Sequence, residues 1–221
     1  MKDFLLANCQ TMVWIVAAIE FVMLFVLAAE YKKQKTAMVL CMLLIDLGLF
    51  IDAFFIALGA PTGGLPGMLS QLRFIAHGVL IPLIFPICGY GLGLGKKAMK
   101  ILWIFTAIVM AAGLAEGCAT QLELKTIGDV IRHVSAAATP GWASGFSMAI
   151  SYGTVVPLII VGIVVWIKQK TPHLFLSGFL MFAFSALGPA TGNFDHIFFI
   201  TMIGEVLMVL FFWFYAKKQR K

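Results

Sequence analysis

Charge is what this chain has least of. Lys, Arg, Asp and Glu together make up 12% of its 221 residues, and only 10 of those side chains are acidic. Soluble domains carry about 25% charged residues, so a soluble globular enzyme is excluded. A disordered chain is excluded as well, because disorder goes with low hydrophobicity and this chain is 62% apolar. Cysteine is also scarce. Four residues, Cys9, Cys41, Cys88 and Cys118, do not form a framework, and their spacing matches no zinc pattern. Cys9 and Cys118 fall on one side of the expected topology, where an oxidising compartment would permit a disulfide; otherwise all four are small apolar packers.

What is present is long apolar runs, with a mean hydropathy of +1.01. A membrane-crossing helix needs about 20 mostly apolar residues. Seven stretches meet that description: Met12–Ala29, Thr36–Gly59, Ser70–Leu94, Met99–Gly117, Gly145–Ile167, His173–Ala190 and His196–Ala216. The expected fold is all-α, a single seven-helix transmembrane domain over residues 1–221, with the lipid bilayer as its first partner.

The net charge of +6 is a topology signal. Lys32, Lys33 and Lys35 follow the first span, and Lys96, Lys97 and Lys100 follow the third. Lys168 and Lys170 follow the fifth, and Lys217, Lys218, Arg220 and Lys221 follow the seventh. These are 12 of the 16 basic residues, all on one side. Basic residues in short loops mark the cytoplasmic face, which puts the N-terminus outside and the C-terminus inside a plasma membrane. The same placement argues against nucleic acid as a partner. Lys2 is followed at once by Asp3, and no small-residue site closes the first apolar run, so no cleaved signal peptide is expected.

Between the fourth and fifth spans, Ile127, Val130, Ile131 and Val134 are spaced i, i+3, i+4, i+7. The spacing predicts a short amphipathic helix over about 126–137, with Thr126 and Asp129 as an N-cap pair and Asp129, Arg132 and His133 on its wetter side. Lys33-Gln34-Lys35-Thr36 recurs as Lys168-Gln169-Lys170-Thr171. The helices that follow end in Gly59-Ala60-Pro61-Thr62-Gly63-Gly64 and Gly188-Pro189-Ala190-Thr191-Gly192-Asn193. Two parallel three-helix repeats joined by the fourth helix are expected, an arrangement found in transporters.

Five carboxylates fall inside the spans: Glu20, Asp46, Asp52, Glu116 and Glu205. A charge at the bilayer centre costs about 2.5–3.5 kcal/mol on insertion scales, so such residues face a cavity, pair with a cation, or take up a proton. Glu20, Asp46 and Glu205 sit near the middle of the first, second and seventh spans. Asp52 lies further out, and Arg73 and His77 share a face at the outer end of the third span. Asp46 and Asp52 are about 120° apart on one helix, so only a wide cavity would receive both. The expected picture is an outward-facing polar funnel with acids at its floor and Arg73 and His77 on its wall. Arg73 with Asp52 is the obvious ion pair.

Two functions follow. One is a small secondary transporter of a proton- or cation-coupled solute, using Glu20, Asp46, Asp52, Arg73, His77 and Glu205. The other is a membrane-embedded hydrolase of a lipid or lipid-linked substrate, with zinc held by His77, Asp195 and His196. No two histidines share a helical turn, so no local ligand pair supports the metal. The last span contains no lysine, which excludes a retinal Schiff base. Gly89-Tyr90-Gly91 echoes a potassium-filter core but lies inside a continuous span, where Gly91 and Gly95 are better suited to close helix packing. Pro82, Pro86 and Pro157 are expected to bend their spans.

Overall fold

The computed structural model describes residues 7–59, 62–191 and 197–220. The helices run α1 (Cys9–Gln34), α2 (Ala37–Gly59), α3 (Gly67–Leu80), α4 (Ile84–Leu92), α5 (Lys96–Ala119), α6 (Gly141–Gln169), α7 (His173–Thr191) and α8 (Ile197–Gln219). A 3₁₀ turn, Ile81–Leu83, joins α3 to α4, and two short strands, β1 (Leu122–Ile127) and β2 (Val130–Ser135), lie between α5 and α6. Six helical segments are long and apolar enough to cross a membrane, with α3, the turn and α4 counted as one continuous span; α7 contributes a shorter apolar stretch, His173–Leu187. This is the architecture of a multi-pass membrane bundle.

The packing order closes a ring. α1 lies between α8 and α2, α2 packs on α3 and α4, α4 packs on α6, α6 on α7, and α7 on α8. α5 stands outside, against α3. The core of the ring is apolar and tightly filled, with Leu27, Met42, Ile45, Ile87, Leu158, Leu174 and Phe212 fully buried. Large apolar side chains also point outward, among them Phe25, Val22, Ile101, Ile108, Ile160 and Ile167. A helix that is hydrophobic all round belongs in lipid or deep in a core, and these faces have no protein over them.

Helix ends reach further than hydropathy predicts. α1 continues from Ala29 through Glu30, Tyr31 and two lysines before Lys35 adopts left-handed backbone, φ +50°, and its N–H bonds to the Tyr31 carbonyl. Lys170 closes α6 identically, φ +55°, bonded to the Trp166 carbonyl. Backbone groups leaving the apolar layer still need partners, so the ladder runs on until a cap supplies them. Pro82 removes a backbone donor from the third span, and the chain answers with the 3₁₀ turn rather than a smooth bend.

The segment expected to be an amphipathic helix over 126–137 is instead a β-hairpin. β1 and β2 pair antiparallel with Ile127 opposite Val130 and Leu122 opposite Ser135. Gly128, at φ +62°, is the first residue of the two-residue loop. Glycine takes this conformation without steric cost, and a Gly in that place is a hairpin signal. Thr126, Ile127, Val130, Ile131 and Val134 are β-branched, which favours strand. Apolar residues on both sides of a tight turn produced the helix-like spacing. Asp129 is no N-cap partner of Thr126; its Oδ1 accepts a hydrogen bond from the backbone N–H of Gln10 at 2.9 Å.

The proposed disulfide is absent. Cys9 is buried and Cys118 exposed, and both are free thiols. Of the glycines, Gly91 packs closely, since a Cβ there would meet Leu174 and Val165, but Gly95 is a helix N-cap facing open space. Among the described glycines the tightest contact is between Gly78 and Gly113, where a Cβ on either would collide with the other's carbonyl. That contact holds α5 against α3. Replacing Gly113 with alanine forces the helices apart or strains them, at about 1–3 kcal/mol, and should lower the melting temperature in detergent. An unchanged melting temperature would mean that the contact contributes nothing.

Candidate functional site

Two connected cavities occupy the end of the bundle beneath the hairpin. The first, about 550 Å³, is the more polar of the two, and is lined by Asp52, Arg73, His77, Glu116, Thr201 and Glu205 from the helices. One face of the hairpin, Glu123, Lys125, Ile127, Arg132 and Val134, forms its roof. These residues share a face because the register sets Lys125 opposite Arg132 and Glu123 opposite Val134. The second cavity, about 560 Å³, runs among α5, α6 and α7 and is mainly apolar, lined by Phe74, Ile84, Met148, Val155, Met181 and Phe182 among others. Phe74, His77, Glu116, Ser135, Ser147, Thr201 and Glu205 line both.

The roof is tied down at several points. Arg73 Nε donates to Asp52 Oδ1 at 2.9 Å, and its Nη1 donates to the His133 carbonyl at 3.2 Å. The Ser70 hydroxyl and His133 Nδ1 are 2.8 Å apart. Gly59 at the end of α2 leaves room for the Ile131 carbonyl. Arg73 is 3% exposed, so one buried guanidinium both neutralises Asp52 and anchors the hairpin. On the roof itself, burial draws the Arg132 guanidinium down to about 10, and the nearby charge of Arg73 adds to this; Asp52 and Glu205 act in the opposite sense.

The structure distributes the sequence-derived candidates over two levels. Asp52, Arg73, His77, Glu116 and Glu205 line the polar cavity. Glu20 and Asp46 lie deeper, fully buried and lining neither cavity. Glu20 is within electrostatic reach of Glu205, Asp46 and Asp52, so the acids of α1, α2 and α8 form one group. Both oxygens of Glu20, both of Asp46 and Oε2 of Glu205 are buried with no hydrogen-bond partner. The hairpin lies over part of the expected outward funnel, with Glu123 and Lys125 exposed on it, and Arg132 and His133 are half-buried. Asp195 and His196 lie outside the described residues. Among the described residues no three His, Cys, Asp or Glu side chains converge as metal ligands.

Several lining residues were not anticipated. Ser144, Ser147, Ser151 and Thr154 are spaced i, i+3, i+7, i+10 on α6 and line the apolar cavity. That spacing puts four hydroxyls on one helical face, a stripe visible in the sequence had hydroxyls been counted as carefully as charges. Lys125 and Glu123 carried no such signal, since only the hairpin register sets these exposed side chains at the edge of the cavity.

No protein-family model matches the chain, and no curated protein matches it.

Two predictions follow from this arrangement. Arg73→Met leaves Asp52 without its cation and should destabilise the protein by about 3 kcal/mol. By contrast, Glu20→Met and Asp46→Leu remove buried acids that make no hydrogen bond, and should hold or raise the melting temperature. A fall with Glu20→Met would mean that the carboxylate locks the bundle.

The second concerns pH. Burial, then the charge of Arg73, lowers His133 below its ordinary value near 6.5. The unfolded chain therefore binds this proton more readily, so the stabilisation is present above pH 6.5 and is lost as pH falls through the folded value. Hydrogen exchange of amides 122–135, corrected for intrinsic rate, should speed up between pH 7.5 and 5. His133→Gln should remove that dependence. Equal protection at both pH values in the wild type would refute it.

Proposed function

We propose that the protein is a small secondary transporter of the plasma membrane, with seven spans, the N-terminus outside and the hairpin roofing an outer vestibule. The observation that carries this reading is the group of buried carboxylates on α1, α2 and α8. Glu20, Asp46 and Glu205 have five buried oxygens without a hydrogen-bond donor, Glu205 on the cavity lining and the other two beneath it. Carboxylates placed in an apolar interior without partners are costly. Their chemistry is to bind a proton or cation that arrives and leaves. Asp52, Arg73 and His77 belong to the gate, since the Arg73–Asp52 pair also holds the roof through His133.

The capping geometry supports a 3+1+3 parallel repeat. Lys35 and Lys170 end α1 and α6 with the same left-handed backbone. The glutamines before them make corresponding bonds: Gln34 Nε2 donates to the Ala216 carbonyl on α8 at 2.7 Å, and Gln169 Nε2 to the Gly91 carbonyl on α4 at 2.8 Å. The first helix of each unit thus reaches the last helix of the other, as an axis along the membrane normal requires. The packing of α1 on α8 and of α4 on α6 follows the same exchange. The basic ends of α1 and α8 are also joined, by Arg220 paired with Glu30, on the side read as cytoplasmic.

The test is uptake into proteoliposomes under an imposed pH gradient. The pool offered contains amino acids, polyamines, aralkylamines and alkali cations, and the contents are read by mass spectrometry. At least one solute should accumulate in wild type, and Glu205→Gln should lose at least nine-tenths of that uptake with helix content retained. No accumulation in wild type, or full uptake by the variant, would overturn the reading.

A further inference from the structure

The chemistry of the second cavity constrains what can occupy it. Its walls are mostly apolar, and three methionines, Met148, Met181 and Met208, are among them. Met148, Tyr152 and Phe182 are also largely exposed on the outside of the bundle, at 62%, 56% and 39%. The cavity therefore reaches the bundle surface among apolar side chains, where α6 and α7 face lipid. A ligand with an apolar body is at home there.

Four hydroxyls of the lining have a common sense. Ser151 Oγ donates to the Ser147 carbonyl at 3.0 Å, Thr154 Oγ1 to the Ile150 carbonyl at 2.8 Å, and Ser185 Oγ to the Met181 carbonyl at 2.9 Å. Thr120 Oγ1 donates to the Glu116 carbonyl at 3.0 Å. A hydroxyl has one hydrogen, and each of these has given it to its own helix. What these four leave for a ligand is lone pairs. Where the two cavities meet, Glu205 is 7% exposed and its Oε2 has no partner. One turn away on the same helix, Thr201 Oγ1 is likewise unpartnered.

Charge agrees with this. Asp52, Glu116, Glu123 and Glu205 line the polar cavity, with Glu20 and Asp46 beneath. The cations of the same lining are Arg73, Lys125 and Arg132, one fewer than its four acids. Cations are in deficit at the point where acceptors are in excess.

We infer that the joined cavities bind an amphipathic organic ammonium, with N–H groups on the Glu205 carboxylate and the α6 hydroxyl stripe and an apolar or aromatic body among Met148, Met181 and Met208. The inference deepens the transport reading by naming its substrate class, and depends on that reading only for movement across the membrane.

The probe is 4-benzoylbenzylamine, which carries its own photoreactive benzophenone, compared with 4-benzoylbenzoate, the same body with the opposite charge. Irradiated with protein in nanodiscs and mapped by peptide mass spectrometry, the amine should label Met148, Met181 or Met208 saturably. The carboxylate should label those methionines at least tenfold less. Glu205→Gln should reduce amine labelling by about tenfold, the loss of a charge-assisted hydrogen bond, and Ser151→Ala by about threefold, the loss of a neutral one. Ser151→Ala keeps every buried charge and so tests the site if the glutamate variant folds poorly. Equal labelling by amine and carboxylate, or labelling spread over the lipid-facing residues of α5, would overturn the inference. So would labelling unchanged in both variants. Because this readout is binding, selective labelling without uptake would refute transport and leave the amine site standing.

Discussion

Arg73 is the side chain on which the upper half of the molecule depends. A guanidinium with almost no access to solvent must find acceptors in the protein. It finds one on α2, at Asp52, and one on the hairpin, at the His133 carbonyl. A single residue of α3 therefore sets the distance between two helices and fixes the roof above them. The polar cavity exists because this roof is held off the helix ends, and its lining follows from the register of the two strands.

Below that level, the bundle obeys a different rule. Its core is filled by Leu, Ile, Met and Phe, and many large apolar side chains lie on its outer surface, so a charged group there is costly unless something answers it. Asp52 is answered by Arg73. Glu30 is answered by Arg220 and Gln34 at the opposite end, where α1 and α8 meet. Glu20, Asp46 and Glu205 have no such answer on their buried oxygens. Paired acids at the two ends thus contrast with acids between them whose buried oxygens make no hydrogen bond.

The spans were legible because a bilayer-crossing helix must be long and apolar, and both properties are one-dimensional. The buried carboxylates were legible for the same reason: a charge in an apolar run stands out. The hairpin was not, because spacing at i, i+3, i+4, i+7 is shared by an amphipathic helix and by two short strands folded about a glycine. Gly128 and the run of β-branched residues were the signals that should have decided it. The hydroxyl stripe of α6 was also present as a pattern, but Ser and Thr are common enough in apolar helices for it to pass as packing.

Composition and hydropathy alone determined that this chain is a multi-pass helical bundle, roughly where six long apolar helices run, and which acids would be costly to bury. These follow from transfer free energies, which add along a chain whatever it touches. Only the tertiary structure decided that Glu20 and Asp46 lie beneath the cavity without a hydrogen-bond partner, and that Lys125 and Arg132 border it. It also decided that hydroxyls from α6 share a cavity with Glu205. Those are facts about neighbours far apart in sequence. They depend on helix rotation, strand register and the ring order of packing, none of which a linear pattern carries.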